Sequence, residues 1–188
     1  MRIIAGKFRG RKLKSPPSLQ TRPTSDRLRE TLFNILSPRM EGSRFLDLCA
    51  GTGAVGIEAL SRGATQATFV DESRTMCALI KENVQALKID DGEIEVVTAE
   101  ATKFLTRHVK KGLQPFDLIY FDPPYAADYE AVLNYAGENA AVLLSKDGLM
   151  LVEHQKRREL LKEFGALERY RLLKQGDSCL SFYERIVA

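Results

Sequence analysis

The chain has 188 residues, a length that suits one domain with its own hydrophobic core. Apolar residues make up 44% of the sequence but never form a run of about 18, which excludes a membrane-spanning helix. Cys49, Cys77 and Cys179 lie far apart without CxxC spacing, which disfavours disulfides or zinc and predicts a reducing, cytoplasmic setting. His108 and His154 share no metal-ligand spacing, so no metal site is predicted and both are expected at the surface.

The net charge of +3 is unevenly distributed along the chain. Residues 1–30 carry nine Lys or Arg and two acidic residues, a local charge of +7, so the other 158 residues sum to −4. A basic segment on a nearly neutral body indicates a polyanionic partner, although a solvated tail is the alternative. The alternating pattern RIIAGKFRGRKL favours a short hairpin over such a tail. The residues predicted to bind this partner are Arg2, Lys7, Arg9, Arg11, Lys12, Lys14, Arg22 and Arg27.

A helix is predicted after the linker at residues 15–18, in the segment TRPTSDRLRETLFNILSP. Thr24 or Ser25 can cap its N-terminus, leucines at helical spacing form one apolar face, and Pro38 ends it. Arginine is not favoured near a helix N-terminus, so contact with an anion would compensate. The arginines expected near its start or on its polar side are Arg22, Arg27 and Arg29.

From residue 44 onward, predicted strands alternate with predicted helices. The strands lie at 44–48, 67–71, 93–97, 116–121, 148–154, 167–174 and 178–187. The helices lie at 53–63, 73–88, 101–111, 128–143 and 156–164. This alternation predicts a largely parallel sheet that is covered on both faces. The last two strands are joined by the short turn Gln175-Gly176-Asp177, so they must be antiparallel.

The segment FLDLCAGTGAVGIEAL places Gly51, Gly53 and Gly56 between a strand and a helix, in the pattern GxGxxG of a nucleotide-type loop. Folds that bind NAD share this pattern. Asp47 precedes the loop at the end of the strand, where its charge would repel a pyrophosphate. S-adenosylmethionine (AdoMet) has no phosphate but carries a sulfonium and an ammonium group, so it is the predicted cofactor.

Two further acidic residues follow the second and third strands. Asp71 ends the second strand, where a carboxylate can accept both ribose hydroxyls, as in nucleotide folds. The alternative is that it caps the helix that starts at Ser73. Glu100 follows the third strand and could lie near the adenine edge, or it could be an ordinary acid in the first turn of a helix.

The fourth strand runs directly into Asp122-Pro123-Pro124-Tyr125. Asp122 and the Pro123 carbonyl could accept the two hydrogens of a planar exocyclic amine, while Tyr125 could stack on the base. Two acceptors would direct the nitrogen lone pair at the sulfonium methyl, so catalysis would be mainly positioning and electrostatics. Such a base must be unpaired or flipped out. The alternative is a loop that is merely interrupted by prolines.

With these residues the chain resembles the RsmD family, bacterial methyltransferases that modify the exocyclic N2 of one guanine in 16S ribosomal RNA. The resemblance runs nearly end to end. The stretches that carry it are RIIAGKFRGRKL, TRPTSDRLRETLFNIL, FLDLCAGTGAVGIEALSRGA, FVDESR, FDPPY and GDSCLSFYER. The middle stretches are common to many AdoMet-dependent enzymes, whereas the first two and the last are more specific to this family.

The resemblance implies an α/β fold, the Rossmann-like class I methyltransferase sheet of seven mostly parallel strands with the last antiparallel. An N-terminal β-hairpin and helix at residues 1–40 would precede the methyltransferase domain at 41–188. The segment 22–26 would close over the methionine end of AdoMet, with Thr24 in contact. The substrate would be 16S ribosomal RNA or the small ribosomal subunit, and the enzyme a monomer.

Two alternatives remain from the residues alone. An adenine-N6 methyltransferase on DNA or RNA would use the same four residues, although such enzymes usually carry a separate target-recognition region. A non-catalytic RNA-binding assembly factor could have kept a methyltransferase fold, but the intact carboxylates Asp47, Asp71 and Asp122 argue against it. The choice of guanine rests on the resemblance and not on the chemistry of the residues.

Overall fold

The computed structural model describes residues 1–16 and 26–186, which form one eight-stranded sheet with flanking helices. The strands are β1 Arg44–Leu48, β2 Gln66–Asp71, β3 Ile94–Thr98, β4 Phe116–Phe121, β5 Leu144–Gln155, β6 Glu163–Phe164, β7 Leu167–Gln175 and β8 Ser178–Arg185. The helices are α1 Asp26–Leu36, α2 Ala54–Ser61, α3 Arg74–Leu87, α4 Ala101–Lys110, α5 Tyr129–Glu138 and α6 Ala140–Leu143. Within these two ranges no helix has the length and apolarity needed to cross a bilayer.

The strand order across the sheet is β3-β2-β1-β4-β5-β8-β7-β6. The first five strands in this order are mutually parallel, and β8 runs antiparallel between β5 and β7. The apolar runs of β1 and β4 are almost wholly buried, as expected at the centre of a parallel sheet. The predicted class of sheet is therefore confirmed. It has eight strands where seven were predicted, because the two-residue strand β6 pairs with the start of β7.

The helix predicted at residues 156–164 is wrong. The chain makes a turn there and then adds β6 to the edge of the sheet, with Phe164 buried. Its backbone passes so close to α5 that a Cβ atom on Gly137 would lie 1.8 Å from the Phe164 carbonyl oxygen. Side chains of α1 share a core with Leu151 of β5 and Phe182 of β8. Leu160 and Phe164 are buried on the opposite face, against α5, so the segment covers that part of the core without forming a helix.

Two hydrophobic clusters lie on opposite faces of the sheet, because alternate side chains of a strand point to opposite sides. Along β4, Leu118 and Tyr120 belong to the cluster formed with α1, α2 and α3. Ile119 and Phe121 belong to the cluster formed with α4, α5 and α6. The crossovers thus cover both faces and leave the strand ends free to carry loops.

The N-terminal segment folds back on itself as predicted and lies on α2 and α3. Ile3 N–H donates to the Arg11 carbonyl at 3.0 Å, and Leu13 N–H donates to the Met1 carbonyl at 3.0 Å. Residues 1–16, called here the N-terminal arm, bury Ile3, Phe8 and Leu13 in the same core as α1. The arm and α1 share this core with the sheet. The predicted domain boundary at residue 40 stays a prediction.

A buried ion cluster attaches the arm to α2. The Glu58 carboxylate is fully buried and accepts the backbone N–H groups of Ile4 at 2.8 Å and Ala5 at 2.9 Å. It also accepts the Arg62 guanidinium at 2.8 Å. Arg29 lies beside it, fully buried, with its Nε 3.9 Å from Glu58 and its Nη2 2.9 Å from Asp26. It is near the start of α1, one of the two predicted places, but on the buried side of the helix. Burial lowers the pKa of Arg29, and nearby carboxylates oppose that effect.

Both histidines are buried, so their predicted surface position is also wrong. The His108 ring lies 4.7 Å from the ring of Phe116, and its Nε2 is 3.1 Å from the Gln114 carbonyl. His154 Nε2 lies 2.9 Å from the Ser181 hydroxyl. Burial lowers the pKa of each ring. Each histidine lies in the core with a ring nitrogen close to a polar partner, a pattern that sequence spacing does not reveal.

Candidate cofactor and target-base site

The carboxyl ends of β1, β2 and β4 lie side by side, because these strands are parallel neighbours. The side of the sheet formed by these strand ends is the edge meant below. Cys49 follows β1, is half-buried, and lies near the acidic residues at this edge. Burial raises the pKa of its thiol, and the negative charges of Asp71, Asp122, Asp47 and Glu72 raise it further. The structure therefore brings the three predicted aspartates together around one point. Negative charge at this edge suits a cationic ligand and opposes an anionic one.

The glycine loop opens this edge. Gly51 has φ = 53° and Gly53 has φ = 75°, both in the left-handed region that favours glycine. No heavy atom beyond the adjoining residues lies within 4 Å of the position that a Cβ atom on Gly51 would occupy. The space in front of Gly51 can therefore admit a ligand against the backbone.

Gly56 lies behind the loop, inside α2. A Cβ atom there would lie 2.3 Å from the Phe69 ring of β2, so this position requires glycine for helix-to-strand packing. Its N–H donates to Asp47 Oδ2 at 2.9 Å. The sequence pattern grouped the three glycines, but the structure separates the one that packs from the two that shape the loop.

Asp47 is 2% exposed and holds the first turn of α2 through Gly56. Burial raises the pKa of its carboxyl to about 8, the Gly56 hydrogen bond acts against that rise, and the charge of Asp71 adds to it. The side chain is therefore largely protonated at neutral pH. A nearby positive charge would favour its ionised form.

Asp71 links the glycine loop to the exit of β2. One carboxylate oxygen accepts the Gly51 N–H at 2.8 Å and the other accepts the Ser73 N–H at 2.8 Å. Ser73 itself caps α3 by accepting the Met76 N–H at 3.3 Å. Each carboxylate oxygen has a second lone-pair direction, so Asp71 can still accept hydroxyl groups. Glu100 precedes α4 at the exit of β3 and lies 2.9 Å from the Lys103 ammonium.

The Asp-Pro-Pro-Tyr loop follows β4. Asp122 is partly buried, and its N–H donates to the Leu48 carbonyl at 3.3 Å, which holds this loop beside β1. Pro123 is buried and Pro124 is exposed. The Tyr125 side chain is 48% exposed, so its ring is accessible for stacking.

Two residues that the sequence analysis did not assign to the site support this loop. Tyr129 is buried, and its hydroxyl lies 3.4 Å from the Pro123 carbonyl oxygen. The Arg158 guanidinium lies 4.3 Å from the Tyr129 ring centre and donates to the Tyr125 carbonyl at 3.1 Å. Tyr129 could have been found from the sequence, since an aromatic residue at the start of a predicted helix is a candidate for packing. No local signal pointed to Arg158, which is 33 residues away from Tyr125.

The arm presents its basic side chains to solvent along α2. Among the residues predicted to bind a polyanion, those that the structure describes are all exposed: Arg2, Lys7, Arg9, Arg11, Lys12, Lys14 and Arg27. Arg2, Arg9 and Arg27 line a cleft of about 360 Å³ between the arm and α1. Arg22 and Thr24 lie outside the described residues. The middle of the arm lies on α2, where the Lys7 N–H donates to the Ser61 carbonyl. The end of the arm lies on α3, where the Lys14 N–H donates to the Asn83 side chain. Asn83 also donates to the Thr52 carbonyl in the glycine loop.

This strand order, with a glycine loop after β1 and acidic residues after neighbouring strands, defines a class I methyltransferase fold. Solved structures agree. The Escherichia coli protein yhhF is 33% identical with a TM-score of 0.86, and the alignment covers 100% of this chain and 99% of that one. The hypothetical protein TTHA0928 of Thermus thermophilus is 34% identical with a TM-score of 0.81, over 97% and 98% of the two chains.

The family model described as Conserved hypothetical protein 95 matches residues 1–184, and the chain belongs to that family. Relatives carry the name Ribosomal RNA small subunit methyltransferase D. The one from Haemophilus influenzae is 38% identical over 185 residues, 97% of this chain and 91% of that protein. The one from Escherichia coli K12 is 40% identical over 156 residues, 82% and 75% of the two chains. The resemblance to the RsmD family is therefore confirmed.

Proposed function

We propose that this chain transfers a methyl group from AdoMet to the exocyclic N2 of a guanine in 16S ribosomal RNA. The observation that carries the proposal is the meeting of an acid-rimmed glycine loop and the Asp-Pro-Pro-Tyr loop at one edge of the sheet. Membership of a family with rRNA small subunit methyltransferases supports the same reaction. The enzyme acts as a monomer in the cytoplasm, where its RNA substrate is made.

The residues present fit AdoMet. The open space at Gly51 admits a ligand beside the loop backbone, and the surrounding carboxylates favour a positive charge. Asp71 accepts the ribose hydroxyls, Asp47 favours the ammonium and sulfonium charges, and Glu100 lies towards the adenine. Thr24 and its segment close over the methionine end. When bound, AdoMet supplies an electrophilic methyl group on a sulfonium sulfur.

The loop after β4 holds the guanine. Asp122 and the Pro123 carbonyl each accept one hydrogen of the exocyclic amine, and Tyr125 stacks on the exposed face of the base. The two acceptors direct the nitrogen lone pair towards the methyl group, so the barrier is lowered by orientation and by electrostatics. Asp122 takes the proton as the nitrogen becomes more acidic on gaining its new bond.

The RNA must present this base unpaired or flipped out of a helix. The exposed cations of the N-terminal arm bind the phosphate backbone around it, which gives affinity without reading the sequence. Arg22 belongs to the same RNA-binding set. The arm and α1 therefore act as an RNA-binding extension of the catalytic domain.

The test is methyl transfer by the purified protein to 16S ribosomal RNA transcripts and to unmethylated small subunits, with the modified nucleoside identified by mass spectrometry. We expect N2-methylguanosine. Asp122→Ala should abolish transfer and leave AdoMet binding largely intact, while Asp91→Ala, an exposed carboxylate on the 3-10 turn before β3, should change neither.

Three outcomes would contradict the proposal. N6-methyladenosine would make the chain an adenine methyltransferase. RNA binding with neither methyl transfer nor a thermal shift on adding AdoMet would make it an assembly factor, since AdoMet at 100 times its dissociation constant should stabilise the protein by about 2.7 kcal/mol. Loss of AdoMet binding together with transfer in Asp122→Ala would refute the role of that carboxylate.

A further inference from the structure

We propose that Lys156, Arg157 and Arg158, together with Lys174, form a second RNA-binding surface, placed across the target-base loop from the N-terminal arm. These four residues are called here the exit patch. The inference rests on the proposed function, because it assigns a further part of the RNA substrate to this edge of the sheet. Its ligand is the phosphate backbone of the RNA that flanks the methylated base.

The exit patch lies at the same edge of the sheet as the Asp-Pro-Pro-Tyr loop. β4 and β5 are parallel, with Phe121 paired to Val152, so the chain that leaves β5 emerges beside the chain that leaves β4. Gln155 at the end of β5 pairs with Ser178, which pairs with Gln175 at the end of β7. Lys156 directly follows β5, and Lys174 is next to the last residue of β7. The two lysines therefore lie at the same end of the sheet.

Contacts attach the patch to the target-base loop rather than leaving it as a mobile tail. Arg158 donates to the Tyr125 carbonyl at 3.1 Å and lies over the Tyr129 ring at 4.3 Å. Lys156 N–H donates to the Asp177 carbonyl at 2.9 Å, which fixes the start of the segment to the turn between β7 and β8. The patch therefore keeps a defined position relative to the ring that stacks on the base.

The charge of the patch suits a polyanion. It contributes four positive charges, and Lys156, Arg157 and Lys174 are exposed. Lys156 and Lys174 are near enough to Cys179 to oppose the rise in its pKa that burial causes. Glu159 and Asp177 are the exposed acids next to the patch in sequence, so its net charge remains positive.

A base that stacks on Tyr125 stays attached to a phosphate on each side, so the backbone must pass over both flanks of the loop. The arm lies on the flank of α2 and α3, where Lys14 contacts Asn83. The exit patch lies on the flank of β5 and β8. Cationic surfaces on both sides of the target-base loop can hold an RNA strand whose middle nucleotide is flipped out.

The experiment compares wild type with the double variant Lys156→Gln/Arg157→Gln, whose two side chains lie outside the catalytic loops. Affinity for 16S ribosomal RNA is measured from 50 to 200 mM salt, alongside methyl transfer and AdoMet binding. Each phosphate contact adds about 0.7 to 0.9 to the slope of log affinity against log salt. Over this fourfold rise in salt, the variant should lose about 7- to 12-fold less affinity than wild type does. Its AdoMet affinity should not change.

The matched control is Lys110→Gln/Lys111→Gln, which removes the same charge from the end of α4, at the opposite edge of the sheet. A flatter salt dependence in the exit variant alone supports the patch. An unchanged salt slope, or an equal change in both variants, overturns it. Reduced transfer without a change in slope would show that the segment only supports the Tyr125 loop, and would also overturn it. A wild type that neither binds nor methylates RNA would sink the proposed function itself.

Discussion

Asp47→Asn is the substitution that tests the electrostatics of the site most directly. Asp47 is buried at the end of β1 and accepts the Gly56 N–H at 2.9 Å. An asparagine of the same shape can keep this hydrogen bond through its amide oxygen, but it does not titrate. The variant therefore removes the ionisable group and little else, so any difference in pH dependence from wild type reports on this carboxyl.

The size of the effect follows from the raised pKa of Asp47, about 8 in the folded protein against 3.8 for an ordinary aspartate. Between these values the unfolded chain loses its proton while the folded protein keeps it. The folded state therefore binds more protons, and its stability falls as the pH rises. The contribution is complete below pH 3.8 and is lost by about pH 8. Relative to the asparagine variant, wild type should lose about 1.4 kcal/mol of unfolding free energy per pH unit.

The assay is urea unfolding of both proteins at pH 5, 6 and 7 without ligand. Other titrating groups are shared, so they cancel in the difference between the two unfolding free energies. That difference should change by about 3 kcal/mol from pH 5 to pH 7, in favour of the variant at higher pH. Two parallel profiles would refute the raised pKa of Asp47.

Three further substitutions test the framework around the site. Gly56→Ala should destabilise the protein by about 1–3 kcal/mol in urea unfolding, because its new methyl group meets the Phe69 ring; an unchanged midpoint would contradict the packing. Glu58→Gln should cost about 3–5 kcal/mol, since it removes the buried negative charge that lies between the Arg62 and Arg29 guanidiniums, and Ile4 should lose amide-exchange protection; retained protection would show that the arm is held elsewhere. Tyr129→Phe should lower kcat roughly fivefold, about 1 kcal/mol, by releasing the first proline carbonyl of the target-base loop, with AdoMet binding unchanged; an unaltered kcat would remove this support from the mechanism.

Local pattern was sufficient wherever one segment decides its own structure. The alternation of apolar strands with amphipathic helices predicted the parallel sheet, and the short Gln175-Gly176-Asp177 turn predicted its antiparallel end. The glycine loop and the proline-rich loop were recognisable because each is a few residues long and sits at the end of a strand. These features could be predicted from the sequence, because backbone sterics and the burial of both faces of a strand shape each element through its own residues.

Local pattern failed where a distant segment supplies the partner. The sequence 156–164 has helical spacing, yet it forms a turn and β6, because the distant strand β7 supplies the pairing partner of Glu163 and Phe164. The type of residue at Arg29 suggests an exposed side chain, but the Arg2 carbonyl of the arm and the Glu58 carboxylate of α2 enclose it, in addition to Asp26 of its own helix. The histidines likewise become core residues through contacts with neighbouring elements.

The sequence by itself determined the class of fold, the two loops at which we propose that AdoMet and the target base bind, and the basic character of the first residues. Only the tertiary structure decided that Asp47 would be buried, that Gly56 serves packing, and that Arg158, three residues after β5, reaches the Tyr125 loop. The physical reason is that burial and hydrogen-bond partners depend on which elements pack together. The order of strands in the sheet sets that packing, and neither a residue's type nor its spacing along the chain contains it.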